Sequence, residues 1–156
     1  MQGGLSWFFI ALLAAALVAA AIGDWRRRTI PNWLNATIAL LAIPFWWSVG
    51  LALWPGVALQ LALGAAVFGL FAIAFRFGAM GGGDVKMAAA LALWLPLAGV
   101  VKLLVIMSIA GGMLTLAMLA AHRVARSAGQ PEIPYGIAIA FGGFWLIGER
   151  FLNQFV

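Results

Sequence analysis

Six apolar runs, separated by short segments that carry most of the charges, constrain this chain more than any other feature. They cover approximately residues 5–22, 33–49, 56–75, 85–96, 101–121 and 135–152. Hydrophobic residues make up 66% of the chain and charged residues 8%, against about a half and a quarter in soluble domains. Because about 20 apolar residues cross a bilayer as a helix, the sequence predicts an all-α integral membrane protein. We expect about six transmembrane helices in a single domain over residues 1–156, with no separate soluble domain.

The fourth run is the shortest, because Pro96 interrupts it after about a dozen residues. The alternative is one long kinked helix over residues 85–121, which leaves five spans. With six spans, seven of the nine basic residues share one side of the membrane, whereas five spans divide them. The positive-inside rule favours six, with the basic side cytoplasmic and both termini on the extracytoplasmic side. Tryptophans near the predicted boundaries fit an aromatic belt; among them are Trp7, Trp25, Trp33, Trp46, Trp47, Trp54 and Trp94.

The composition excludes several kinds of site. The chain has no cysteine, which excludes disulfides, thiolate catalysis and cysteine-bound zinc, and it has one histidine, His122. We therefore expect no metal and no cofactor. Most of the basic residues that give the net charge of +5 lie between the apolar runs. We therefore interpret them as a topology signal and not as a nucleic-acid surface. We expect the first run to be retained, because no basic residue precedes it and three arginines follow it.

Two of the four acidic residues lie at the same predicted membrane depth. Asp24 ends the first run and Asp84 begins the fourth, both on the cytoplasmic side, so adjacent helices would bring the carboxyl groups together. Asp84 alone would suit a helix N-terminus, where carboxylates accept unpaired N–H groups. Asp24 lies at a helix C-terminus, where negative charge is unfavourable, although the following arginines could neutralise it. Position alone leaves open two ordinary helix ends or a paired-carboxylate site.

The pair suggests a specific chemistry. Two carboxyl groups in contact share a proton, because the second charge is costly. The charged member can activate water while the protonated member polarises a carbonyl group, as in aspartic peptidases. Three glycines, residues 81–83, precede Asp84; they leave room for a neighbouring helix or substrate and permit a positive φ. An ordinary flexible loop would contain the same glycines.

Two motifs carry a resemblance to a known family. They are GDWRRRTIPNWLN, residues 23–35, and GGGDVKMAAALALW, residues 81–94. Together they resemble the type IV prepilin peptidases, the bacterial members of the Gly-x-Gly-Asp intramembrane aspartic peptidases, and in particular the short Flp/Tad-type members. The segment IPYG, residues 133–136, resembles a late segment of that family. The resemblance assigns the catalytic roles to Asp24 and Asp84.

The resemblance also implies site residues, a substrate and a location. Residues that bind substrate or shape the site are expected to be Ile30, Pro31, Asn32, Gly81, Gly83 and Lys86. The expected partner is a prepilin or pseudopilin, whose short basic leader is removed at the cytoplasmic face, before a hydrophobic N-terminal helix embedded in membrane lipid. The expected location is the bacterial inner membrane, with roles in pilus biogenesis and protein secretion. Longer family members also methylate the new N-terminus and carry a domain with paired cysteines. This chain has no cysteine, so we do not expect methyltransferase activity.

Two other functions remain open at this stage. One is a small proton-coupled transporter, because intramembrane acids often mark ion paths; transport sites, however, usually lie near the midplane of the membrane. The other is a non-catalytic membrane subunit of a pilus or secretion assembly. Such a subunit should tolerate replacement of either aspartate by asparagine, whereas a peptidase should not.

Overall fold

The computed structural model describes residues 2–124 and 133–153, and the regular elements in these ranges are helices. They are α1 (Gln2–Arg27), α2 (Asn32–Ser48), α3 (Ala58–Arg76), α4 (Gly82–Ala92), α5 (Leu97–Val124) and α6 (Tyr135–Leu152). An irregular helical turn, Leu53–Val57, leads into α3. The prediction of an all-helical protein is confirmed for the described ranges. Arg126, one of the basic residues used for the topology, lies outside them.

Three segments are long and apolar enough to span a membrane, which supports a membrane protein. They are Gly4–Arg27, Leu53–Arg76 and Leu97–Val124. Trp7, near the start of α1, packs edge-on against Phe151, near the end of α6, with ring centres 5.7 Å apart. The described chain therefore begins and finishes at the same end of the bundle. The number of spans and the side on which the termini lie remain predictions.

The short helix α4 occupies the middle of the bundle. It packs against α2, α3 and α6, and seven of its 11 residues are buried. At 1.5 Å per residue it is about 16 Å long, roughly half the thickness of the hydrocarbon core. A helix surrounded by protein does not have to match that thickness, since other helices, and not lipid, cover it.

The chain reverses direction between α4 and α5. Leu91 at the end of α4 and Leu103 near the start of α5 both lie against the middle of α6, at residues 142–143. Gly111, about two turns further along α5, lies against Tyr135 at the beginning of α6. Helix α5 therefore runs antiparallel to α6, back toward the end of the bundle at which α4 begins. The alternative of one kinked helix over residues 85–121 is wrong.

Two tryptophans fasten α2 to the end of α4. The Trp94 indole N–H donates to the Ile38 carbonyl oxygen at 2.9 Å, and the Trp46 indole N–H donates to the Leu93 carbonyl oxygen at 2.8 Å. Both tryptophans are buried. Because an unpaired donor in apolar surroundings costs free energy, these bonds fix α2 relative to α4. These two tryptophans therefore face the interior of the bundle, whereas their predicted depth near the membrane boundary remains a prediction.

Candidate active site

The two predicted aspartates lie on neighbouring helices at one end of the bundle. Asp24 is in the last turn of α1 and is 4% exposed, and Asp84 is in the first turn of α4 and is 8% exposed. They are 60 positions apart in the sequence, yet the charge of Asp24 acts on the Asp84 carboxyl group. Folding thus places the two carboxyl groups close enough to interact electrostatically, which favours the paired-carboxylate alternative over two ordinary helix ends.

The environment of Asp84 disfavours its charged form. This residue precedes the apolar part of α4 and lies outside the three segments that are long enough to span a membrane. Burial, and after it the charge of Asp24, raise its pKa from 3.8 to about 7, while the backbone N–H of Gly81 acts in the opposite direction. At neutral pH a substantial fraction of Asp84 is therefore protonated.

The glycines before Asp84 provide space for its carboxyl group. Gly81 is the N-cap of α4, with φ −72° and ψ 144°. Asp84 is the third residue of the helix, and its side chain turns back toward the Gly81 N–H, which resembles half of a capping box. A Cβ atom on Gly81 would lie 2.8 Å from Asp84 Oδ2. The triplet does not use the positive φ that glycine permits; the positive-φ glycine of this loop is Gly78.

The segment Ile30–Pro31–Asn32 packs directly on the glycine motif. Ile30 is buried, and a Cβ atom on Gly83 would lie 3.2 Å from Ile30 Cβ and 3.3 Å from its carbonyl oxygen. Pro31 is the N-cap of α2. Asn32 Oδ1 accepts a hydrogen bond of 2.7 Å from Lys86 Nζ. The structure thus brings the predicted site-shaping residues together at the aspartate end of the bundle.

Two further residues belong to this cluster although the sequence analysis did not assign them to it. Asn35, one turn after Asn32, is buried and donates from Nδ2 to the Gly83 carbonyl oxygen at 3.1 Å. Gly136 opens α6, where a Cβ atom would lie 2.8 Å from Asp24 Oδ2. Two features of the sequence could have indicated these residues: Asn35 lies one helical turn after Asn32, and Gly136 is the glycine of the IPYG segment.

Arg28 closes α1 beside Asp24. Its φ is 54°, in the left-handed region, and its N–H donates to the Asp24 carbonyl oxygen at 2.9 Å. Its guanidinium group lies 5.6 Å from the centre of the Trp25 ring and acts electrostatically on the Asp24 carboxyl group. The backbone N–H groups of Gly136 and Ile137 also face that carboxyl group.

Two buried polar atoms at Asp24 and Arg28 remain available for hydrogen bonding. Asp24 Oδ2 and Arg28 Nη1 are buried, and neither has a hydrogen-bond partner of good geometry in the described part of the chain. The site can therefore offer an acceptor and a donor to a bound water or peptide group. No group of three or more His, Cys, Asp or Glu side chains within the described ranges could hold a metal ion.

A model of the type IV leader peptidase family matches residues 11–116, a segment that contains both aspartates and both motifs around them. No curated protein and no solved structure matches the chain.

Proposed function

The chain belongs to the type IV leader peptidase family, and we propose that it is an intramembrane aspartic endopeptidase. Its proposed reaction removes the short basic leader of a prepilin or pseudopilin at the cytoplasmic face of the bacterial inner membrane. The observation that carries this proposal is the burial of Asp24 and Asp84 together at one end of the bundle, where their carboxyl groups interact.

The surroundings of the two carboxyl groups support different roles for them. Asp84 carries the proton that the pair shares, since burial and the neighbouring charge disfavour its ionisation. Asp24 is the base, because Asp84 holds the shared proton and because Arg28 and the backbone N–H groups of Gly136 and Ile137 offset part of the cost of burying the Asp24 carboxylate. Environments that differ in this way separate an acid from a base in a pair of otherwise identical groups.

Hydrolysis then proceeds without a covalent intermediate. Asp24 removes a proton from water as the water oxygen attacks the peptide carbonyl carbon, and Asp84 donates its proton to the carbonyl oxygen. As the resulting diol collapses, the C–N bond breaks. The leaving nitrogen takes the proton from Asp24, and a diol hydroxyl returns a proton to Asp84. The pair thus ends the cycle with one proton, as it began.

The position of the pair suits the proposed substrate. The bond to be cut precedes a hydrophobic helix, so it lies at the edge of the membrane when that helix is embedded. Asp24 ends α1 and Asp84 begins α4, so both carboxyl groups lie at helix ends and not near the middle of a long apolar segment. A transporter site would be expected near the middle.

The test is a cleavage assay on purified protein in liposomes without an ion gradient. The substrate is a synthetic prepilin with a basic leader followed by a hydrophobic helix. We expect mass spectrometry to find the free leader and a shortened helix that begins at one defined residue. Intact substrate after prolonged incubation with folded protein would refute the proposal, and gradient-driven proton uptake by the same protein would favour the transporter.

A further inference from the structure

An open groove of about 610 Å³ runs away from the candidate site between α2 and α3, with α4 as its floor. Asn32, Asn35 and Lys86 line one end of this groove, and Leu61 and Leu93 lie along its apolar part. We call it the α2–α3 groove. Its polar end is the end at which α2 and α4 begin, so it extends from the level of the aspartates into the apolar part of the bundle.

The groove is continuous with the glycine motif through Asn35. The Nδ2 atom of Asn35 donates to the carbonyl oxygen of Gly83, the residue immediately before Asp84. A chain that lies in the groove and passes Asn35 therefore arrives next to the carboxyl pair. Two other grooves, between α5 and α6, are lined by residues 101–117 and 137–153 and include no residue of the two aspartate motifs.

Asn35 carries an acceptor that the protein leaves unused. Its side chain is 4% exposed, and Oδ1 is buried with no hydrogen-bond partner among the atoms of residues 2–124 and 133–153. Because Nδ2 donates to a carbonyl oxygen, the orientation of the amide is fixed and the free atom is an oxygen. Lys86 does not satisfy it, since its Nζ donates to Asn32.

The N-terminus of a helix carries N–H donors that need an acceptor such as Asn35 Oδ1. The first four N–H groups of an α-helix have no partner within the helix, and in apolar surroundings each unpaired group is costly. A buried acceptor at the polar end of an apolar groove therefore matches the first turn of an apolar helix whose N-terminus lies at the level of the carboxyl pair.

We propose that the α2–α3 groove binds the hydrophobic N-terminal helix of the substrate, and that Asn35 Oδ1 accepts an N–H of that helix's first turn. This inference rests on the proposed function, which places the cut bond directly before such a helix. Asn35 is then a positioning residue. It holds Gly83 with one side-chain atom and the substrate helix with the other, so it sets the peptide bond relative to Asp84.

The walls of the groove suit a second helix. Between its two ends the lining is mainly small, with Ala36, Ala39, Gly64, Ala65 and Ala89, and small residues allow helices in a membrane to approach closely. The helix α3 packs on α4 and on the turn that precedes it, with little contact to α2 across the groove. The gap between α2 and α3 can therefore admit a helix that reaches Asn35, which lines the groove.

Site-specific photo-crosslinking tests the occupant of the groove. Ala65 and Ala66 are consecutive and both exposed on α3, but only Ala65 lines the groove. Each is replaced in turn by a benzophenone amino acid in an Asp84→Asn protein, which is expected to retain uncut prepilin in liposomes. We expect adducts with the substrate helix from position 65 and few from position 66.

The outcomes separate this inference from the proposed function. Lipid adducts alone at position 65, or equal substrate adducts at both positions, would overturn the groove proposal if the wild-type protein cuts the same prepilin. Failure of the wild-type protein to cut it would refute the proposed function itself. As a kinetic counterpart, Ala65→Phe should raise KM for the prepilin by several fold, whereas Ala66→Phe should leave it unchanged.

A semisynthetic substrate tests the role of Asn35. Each N–H in the first turn of the substrate helix is replaced in turn by an ester oxygen, which removes one donor. At one position we expect kcat/KM of the wild-type protein to fall about fivefold, and that same ester to have no further effect on Asn35→Ala. A purely structural role predicts instead that the ester costs the same in both proteins at every position, and that result would overturn the assignment.

Discussion

Replacing Asp84 by asparagine is expected to abolish cleavage while it stabilises the fold at alkaline pH. Burial and the charge of Asp24 raise the pKa of Asp84 from 3.8 to about 7. One pKa unit corresponds to about 1.4 kcal/mol, so keeping Asp84 ionised costs the folded protein about 4 kcal/mol above pH 7. Asparagine has nearly the same shape and carries no charge to bury.

The pH window follows from the sign of this shift. Because the folded pKa lies above the unfolded value, the folded state holds a proton between about pH 4 and pH 7 that the unfolded state has released. Wild-type stability therefore falls as pH rises through this window, whereas Asp84→Asn lacks the carboxyl group that causes this fall. The advantage of the variant should grow by about 3 kcal/mol between pH 5 and pH 8.

The assay is the free energy of unfolding in detergent–lipid micelles, measured by SDS titration for both proteins at pH 5 and pH 8. The quantity compared is the difference in unfolding free energy between the two proteins, and only its change from pH 5 to pH 8 is used. Any effect of the amide that does not depend on pH therefore cancels. Glu149→Gln is the matched control for activity, since it makes the same chemical change at the opposite end of the bundle, where Glu149 pairs with Lys102. It should cleave at the wild-type rate. A stability difference for Asp84→Asn that is equal at the two pH values would refute the reasoning.

Three further predictions concern the pH profile, one glycine and one tryptophan. The cleavage rate kcat should fall as pH rises through about 7, because Asp84 then loses the proton that it donates; a rate that climbs steadily to pH 9 would contradict this role. Gly136→Ala should lower cleavage strongly, because its Cβ atom would lie 2.8 Å from Asp24 Oδ2, while Gly112→Ala, which meets nothing within 4 Å, should be neutral in the same assay. Trp94→Phe should lower the free energy of unfolding by about 1 kcal/mol, because a buried carbonyl of α2 loses its donor; unchanged stability would show that this bond does not fasten α2 to α4.

The sequence predicted the helices well because hydropathy and turn residues act locally. Pro96 marked the reversal between α4 and α5, and the charge distribution correctly favoured two helices there over one. The juxtaposition of Asp24 and Asp84 was also accessible, because both end or begin apolar runs at one predicted depth. What remained open was whether α1 and α4 are neighbours, since hydropathy alone does not fix which helices pack together.

The contacts that complete the site depend on that packing. Gly136 meets Asp24 only because α6 lies against α1, and Asn35 reaches Gly83 only because Trp46 and Trp94 hold α2 on α4. Asparagine near a predicted membrane boundary is unremarkable in a sequence, and its unused acceptor becomes visible only when its neighbours are known.

The central claim is that Asp24 and Asp84 act as one unit on a peptide bond. The most direct test measures prepilin cleavage by purified wild-type protein, Asp24→Asn, Asp84→Asn and the double variant, with Glu149→Gln as the control. Each single variant should lose about a hundredfold to ten-thousandfold in rate, and the double variant should be little slower than either, because residues that act together are not additive. Near-wild-type cleavage by either single variant, in protein that remains folded, would contradict the account.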